Sequence, residues 1–164
     1  MAKPTKYAPL ICTVVSILAL IGIVVGLLTQ ETLVIVFLLL PAAIYEVYRT
    51  EGKSTKASSF LLLGVLIAEI LLIIFKVDFN LADYFGVDTK YIGGYMVPLG
   101  DIAIVGSSLM AVLSVILFLK TYGKYTKWLA VTIFITSFGI IYSIDPGVFK
   151  ELFQYAIEQG INRI

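Results

Sequence analysis

The sequence predicts an all-α integral membrane protein: a five-span transmembrane helical bundle with a C-terminal amphipathic interfacial helix. Three observations predict it. Five long apolar runs lie at about 8–28, 33–48, 60–75, 102–119 and 128–144. The chain is 60% hydrophobic and 14% charged over its 164 residues, against ~45–50% apolar and ~25% charged in soluble domains. Positive charge alternates between successive loops. A helix of ~17–25 apolar residues crosses a hydrocarbon core, where lipid offers no partner for a backbone N–H or C=O. The first and fourth runs have that length. The other three reach it with flanking Ser, Tyr, Trp and Lys, or by thinning the bilayer. Spans and connections use up residues 1–164, which reads as a single transmembrane domain with no room for a soluble catalytic one.

The charge pattern supplies an orientation. With the N-terminus in the cytoplasm, that side receives Lys3, Lys6, Arg49, Lys53, Lys56, Lys120, Lys124 and Lys127. The other side receives Lys76, Lys90, Lys150 and Arg163. Short basic loops are retained inside, so the C-terminus is expected on the outer side of a cell membrane. Lys3 and Lys6 before an apolar run also resemble a signal peptide. That run exceeds the usual ~7–15-residue core, and no A-x-A-like site follows. Cys12 is the single cysteine, which excludes an intramolecular disulfide.

Each element has its own signals. Thr29, Gln30, Glu31 and Thr32 are too few to do anything but join spans one and two as an antiparallel hairpin. Pro41 lacks a donor and clashes with the carbonyl four residues back, so a kink near Phe37–Pro41 is expected. Residues 50–59 are polar, with Gly52 and five Ser or Thr, and read as a linker. Residues 77–100 mix aromatics with Gly86, Gly93, Gly94, Pro98 and Gly100. They read as an interfacial loop with a short helix at Leu81–Phe85. Asp145 and Pro146 open the tail helix as N-cap and first helical residue. Phe149, Phe153, Ile157, Ile161 and Ile164 then recur every three or four residues, which predicts an amphipathic helix over 146–164 lying on the surface. No internal repeat is apparent.

Absences narrow the chemistry. The chain has no histidine, which removes His-ligated metals and the ordinary His general base. One cysteine cannot build a thiolate cluster. Phosphate-loop, dinucleotide and nucleophile-elbow motifs are missing. Scattered basic residues argue against nucleic acid. No cofactor or metal site is expected. Asp78, Asp83, Asp88 and Asp101 read as solvated loop charge, which leaves an enzyme acting on lipid without a catalytic pair.

Glu69 is the exception, because it falls inside the third apolar run. An acid at depth costs ~2.5–3.5 kcal/mol on insertion scales and turns toward the bundle interior. No basic residue shares its depth, so the carboxyl is expected to be neutral at pH 7 and to donate a hydrogen bond. Its expected partners are two stripes: Ala103, Ser107, Ala111 and Ser114 in span four, and Thr132, Thr136, Gly139 and Ser143 in span five. Small and hydroxylated residues let helices approach and bond across the contact. Span one carries Cys12, Ser16, Ala19, Gly22 and Gly26 as a packing stripe, or as a homodimer face through its G-x-x-x-G pair. Glu46 and Arg49, three apart, are expected to pair at the interface.

These readings support a non-enzymatic membrane subunit or scaffold that binds other membrane proteins or lipid. Phe149, Phe153, Ile157 and Ile161 are its candidate partner surface, and a homo-oligomer is the other partner considered. The alternative is a proton or monovalent-cation channel or transporter subunit. In that reading Glu69 is the relay carboxylate and Ser107, Ser114, Thr132 and Thr136 line the path.

Overall fold

A computed structural model describes residues 6–77, 89–92, 95–98 and 102–150. The long helices among these residues are α1 (Ala8–Thr29), α2 (Thr32–Arg49), α3 (Lys53–Ile74), α4 (Ile102–Lys120) and α5 (Lys124–Ile144). All five are long and apolar enough to cross a membrane. Between α3 and α4, strands β1 (Thr89–Ile92) and β2 (Tyr95–Pro98) pair antiparallel, with Thr89 opposite Pro98 and Ile92 opposite Tyr95. The segment read as an interfacial loop therefore contains a short hairpin. The helix expected at Leu81–Phe85 lies outside the described residues.

Local chemistry explains the boundaries. Pro9 sits in the first turn of α1, where a missing N–H costs nothing. At the other end Gln30 takes a left-handed conformation, and the Glu31 N–H returns to the Gly26 carbonyl at 3.0 Å. α2 starts at Thr32, so the two helices are joined by two residues. α2 runs through Pro41 as one helix. The largest departure from expectation is α3, which begins at Lys53 inside the stretch read as linker. The Ser and Thr hydroxyls that suggested a loop bond within the helix instead. Ser58 donates to the Ser54 carbonyl at 3.2 Å and Ser59 to Thr55 at 3.2 Å. Back-bonding of this kind satisfies a hydroxyl without leaving the helix.

The helices form a ring. Each packs on its neighbour in sequence, α1 closes on α5, and α2 also touches α5 across the ring. The core is made by Ile35 and Leu39 of α2, Leu62 and Leu66 of α3, Met110 and Leu117 of α4, and Leu129, Ile133 and Ile140 of α5, all fully buried. Connections at one end of the ring carry Arg49, Lys53, Lys120 and Lys124 (the basic end). Thr29, Thr32, Ile74, Ile102 and Ile144 lie at the far end.

A repeat organises four of the five helices, contrary to the expectation of none. Arg49-Thr-Glu-Gly-Lys-Ser-Thr-Lys56 closely matches Lys120-Thr-Tyr-Gly-Lys-Tyr-Thr-Lys127, residue for residue 71 positions later. The α2–α3 and α4–α5 hairpins share that offset in their burial. Thr55, Ser59, Leu62, Leu66, Glu69 and Ile70 are the buried residues of α3. Their counterparts Thr126, Ala130, Ile133, Ser137, Ile140 and Ile141 are all buried in α5. Likewise Val36, Leu39, Ala42, Ala43 and Glu46 of α2 correspond to buried Ser107, Met110, Leu113, Ser114 and Leu117 of α4, while buried Ile35 departs from the pattern, its counterpart Gly106 being half-buried. Packing of α3 on α4 and of α2 on α5 is the arrangement of two hairpins related by a pseudo-two-fold axis along the bundle. The apolar runs hide the repeat because they keep its burial register while changing nearly every side chain.

Candidate functional site

Glu69 is 1% exposed and faces α4. Ser107 donates its hydroxyl to Glu69 Oε1, and a Cβ built on Gly106 would stand 3.6 Å from the Glu69 carboxyl. Gly106 and Ser107 together thus seat the carboxyl against α4. Oε2 is buried with no hydrogen-bond partner among the described residues. Ser107 is thus the hydroxyl that meets the acid, as the stripe on span four predicts. The depth also differs from expectation. Glu69 is five residues, ~7.5 Å, from the last residue of α3. Ser107 is five residues into α4. The pair therefore lies nearer the far end than the middle, because α3 extends seven residues below its apolar run. Position 69 also breaks the repeat: its counterpart is Ile140, and that of Ser107 is Val36.

The other hydroxyls do not gather around Glu69. Thr132 faces α1, where its Oγ1 lies 3.0 Å from Ser16 Oγ and donates to the Trp128 carbonyl at 3.1 Å. Trp128 Nε1 donates to Ser16 Oγ at 2.8 Å, completing a polar seam between α1 and α5. Sequence reasoning missed Trp128; an indole one turn before Thr132 was the available signal. Ser114 donates to the Ala111 carbonyl at 2.6 Å, and Thr136 to Thr132 at 2.8 Å. Ser107 is the one member of the expected path that reaches the acid.

The packing stripes are at helix contacts. Cys12, Ser16, Ala19, Gly22 and Gly26 are buried on α1, and Ala103 and Ala111 on α4. A Cβ on Gly22 would stand 2.9 Å from the Leu38 Cβ of α2, and one on Gly26 would collide with Ile35. The G-x-x-x-G pair thus packs α1 on α2 within the chain. A Cβ on Gly139 would meet Ile23 of α1 at 3.1 Å. Ser143 Oγ lies 2.9 Å from Thr32 Oγ1, tying α5 to the start of α2.

Glu46 is a second buried carboxyl, at the basic end. It is fully buried, and Oε1 accepts from Thr50 Oγ1 at 2.8 Å. The Arg49 guanidinium carbon lies 6.0 Å from the Tyr45 ring centre and 5.3 Å from that of Tyr125. Cys12 Sγ is 3.9 Å from the Tyr125 carbonyl. Glu46, expected at the interface, therefore sits in a packed position where α2 meets α1 and α5.

At the tail, Asp145 caps as expected. Its Oδ1 accepts from Gly147 N at 2.7 Å and from Val148 N at 3.3 Å, and residues 146–150 are helical. Phe149 packs edge-on against Tyr142 and Phe138, with ring centres 5.4 and 6.2 Å away. The helix's first turn thus docks on α5. Phe153, Ile157 and Ile161 lie outside the described residues.

The described residues form concavities large enough for ligands. One of about 800 Å³ opens at the basic end between the α2–α3 and α4–α5 connections. Another, about 540 Å³, is an apolar groove beside Ser16, Leu20, Trp128 and Ile135, with Lys124 and Lys127 among its lining residues. Among the described residues, no three His, Cys, Asp or Glu side chains gather to hold a metal. No family model, curated protein or solved structure matches this chain.

Proposed function

We propose that this chain is a non-enzymatic integral membrane subunit or scaffold that binds other membrane proteins or lipid. Its N-terminus and basic end face the cytoplasm, and its C-terminus faces the outside of the cell membrane. The carrying observation is where the helices spend their side chains. In each of the five helices more than half of the apolar stretch is not buried within the chain. Large residues such as Leu10, Ile17, Leu28, Phe60, Leu71, Phe75, Val112 and Ile135 point outward. A soluble monomer rarely exposes contiguous apolar patches beyond a few hundred Å²; a lipid-embedded surface requires them. Inside, most hydroxyls are used by their own helices or by the α1–α5 seam, which suits a rigid interior and a lateral binding role. Purification of the native complex in mild detergent tests this. The expected result is a stoichiometric membrane partner or a second copy. A monodisperse single chain whose deletion has no effect overturns it.

A second reading rests on one observation, that the buried Oε2 of Glu69 has no hydrogen-bond partner among the described residues. A carboxyl so placed suits handling of a proton or monovalent cation. Glu69→Gln keeps the shape and removes titration. Loss of proton flux in proteoliposomes would favour this reading, and unchanged flux would end its proton version.

A further inference from the structure

We propose that the cavity at the basic end binds a phosphate group, carried by a lipid headgroup or by a soluble phosphate compound. The cavity holds about 800 Å³, and both copies of the repeated segment line it. Arg49 and Lys53 come from the first copy and Lys120 from the second; Glu51 is the single carboxylate among the lining residues. Among the described lining residues three cations stand against one carboxylate, and they come from two separate hairpins, which makes the bowl electropositive. Lys53 and Lys120 bring mobile point charges suited to phosphate oxygens, and Arg49, held against Tyr45 and Tyr125, adds fixed positive charge beneath them.

The backbone adds to this field. α3 and α5 both start after a glycine, Gly52 and Gly123, and neither has a side-chain cap hydrogen bond. Thr55 and Thr126, where a capping partner is often found, instead turn their hydroxyls back to the glycine carbonyls at 3.1 and 2.6 Å. A Cβ at either glycine would crowd that threonine, at 2.9 and 2.8 Å. The first N–H groups of both helices thus keep their positive ends uncapped by side chains at the rim of the cationic bowl.

Loop cations that only set topology need not converge, and the repeat contains an internal control. Lys56 and Lys127 belong to the same motif but are not among the residues lining this cavity. The inference goes beyond the proposed scaffold role by naming a ligand chemistry. Its test reads binding to the chain itself, whereas the scaffold reading fails at co-purification.

The experiment uses the full chain in maltoside detergent. Native mass spectrometry compares added phosphatidylglycerol with diacylglycerol, which shares the tails and lacks the phosphate. Thermal melts compare pyrophosphate with chloride at equal ionic strength. Retention of phosphatidylglycerol over diacylglycerol identifies a headgroup; stabilisation by pyrophosphate identifies a soluble phosphate. At ~1 kcal/mol per lysine near an anionic surface, Lys53→Gln with Lys120→Gln lowers either affinity about thirtyfold. Lys56→Gln with Lys127→Gln leaves it largely intact. All four lysines are at the surface or half-buried, and ligand-free melts check that both variants fold. Absence of both signals in the wild type, or equal loss in the two variants, overturns the proposal.

Discussion

Ser107→Ala removes one oxygen and with it the hydrogen bond to Glu69 Oε1. Oε2 already has no partner among the described residues, so the variant leaves a buried carboxyl without any described donor. Stripping a buried polar group of its partner costs ~1–3 kcal/mol in water-soluble proteins. Side-chain bonds between helices in lipid average ~0.6 and reach ~1.7 kcal/mol. Glu69 is 1% exposed and lies between two helices, which places the loss near the top of the lipid range, ~1–2 kcal/mol. Removing both groups, with Glu69→Leu and Ser107→Ala, deletes the problem with its cure and should approach or exceed wild-type stability. The four proteins make a double-mutant cycle. Reversible unfolding in mixed micelles with rising dodecyl sulfate, followed by the single tryptophan, Trp128, measures each corner. Gly106→Ala is the control, because its new methyl stands in ordinary contact at 3.6 Å from the acid. A Ser107→Ala protein within ~0.3 kcal/mol of wild type, with no coupling in the cycle, would refute the reasoning.

Three further outcomes follow from separate contacts. Ser16→Ala deletes the partner of both Thr132 and Trp128 Nε1; stability falls by ~1 kcal/mol and the Trp128 emission spectrum shifts, so an unchanged spectrum contradicts the seam. Gly22→Val forces α1 away from Leu38 and costs ~1–3 kcal/mol. Light scattering should give the same particle mass as wild type, because this glycine face packs within the chain; a change in subunit number would show that it packs between chains. Asp145→Ala removes the acceptor for Gly147 and Val148. A loss of ~1 kcal/mol in the tail helix should speed amide exchange at 147–150 while leaving α5 protected, and unchanged exchange would contradict the cap.

The sequence made the five helices legible because lipid solvation imposes one strong signal, length of apolar run. It misled at α3 and α5, which begin four to seven residues before their apolar runs. Lys53–Ser59 looked like a loop by composition, yet its hydroxyls bond carbonyls one turn back and its lysines extend outward. Glu69 and Ser107 were readable as partners because few polar groups share an apolar environment. Thr132 was misdirected for the opposite reason: several hydroxyls compete there, and only packing could show that Ser16 and Trp128 claim it. Glu46 looked interfacial by its place near the helix end, but α1 and α5 close over it. The repeat escaped notice since its one run of identities lies within eight residues of each polar connection, with only scattered ones in the helices. Its helices share many of their buried positions and few of the side chains that fill them.

The account rests on alternation of the chain across a bilayer, and two-sided thiol labelling tests that most directly. In a Cys12→Ala background, Tyr122→Cys and Ser54→Cys mark the basic end and Glu31→Cys marks the far end; all three positions are exposed. In right-side-out membrane vesicles, an impermeant maleimide should label position 31 and spare 54 and 122 until detergent is added. Labelling of all three positions from one side would contradict the account, as would recovery of the chain in buffer without a membrane.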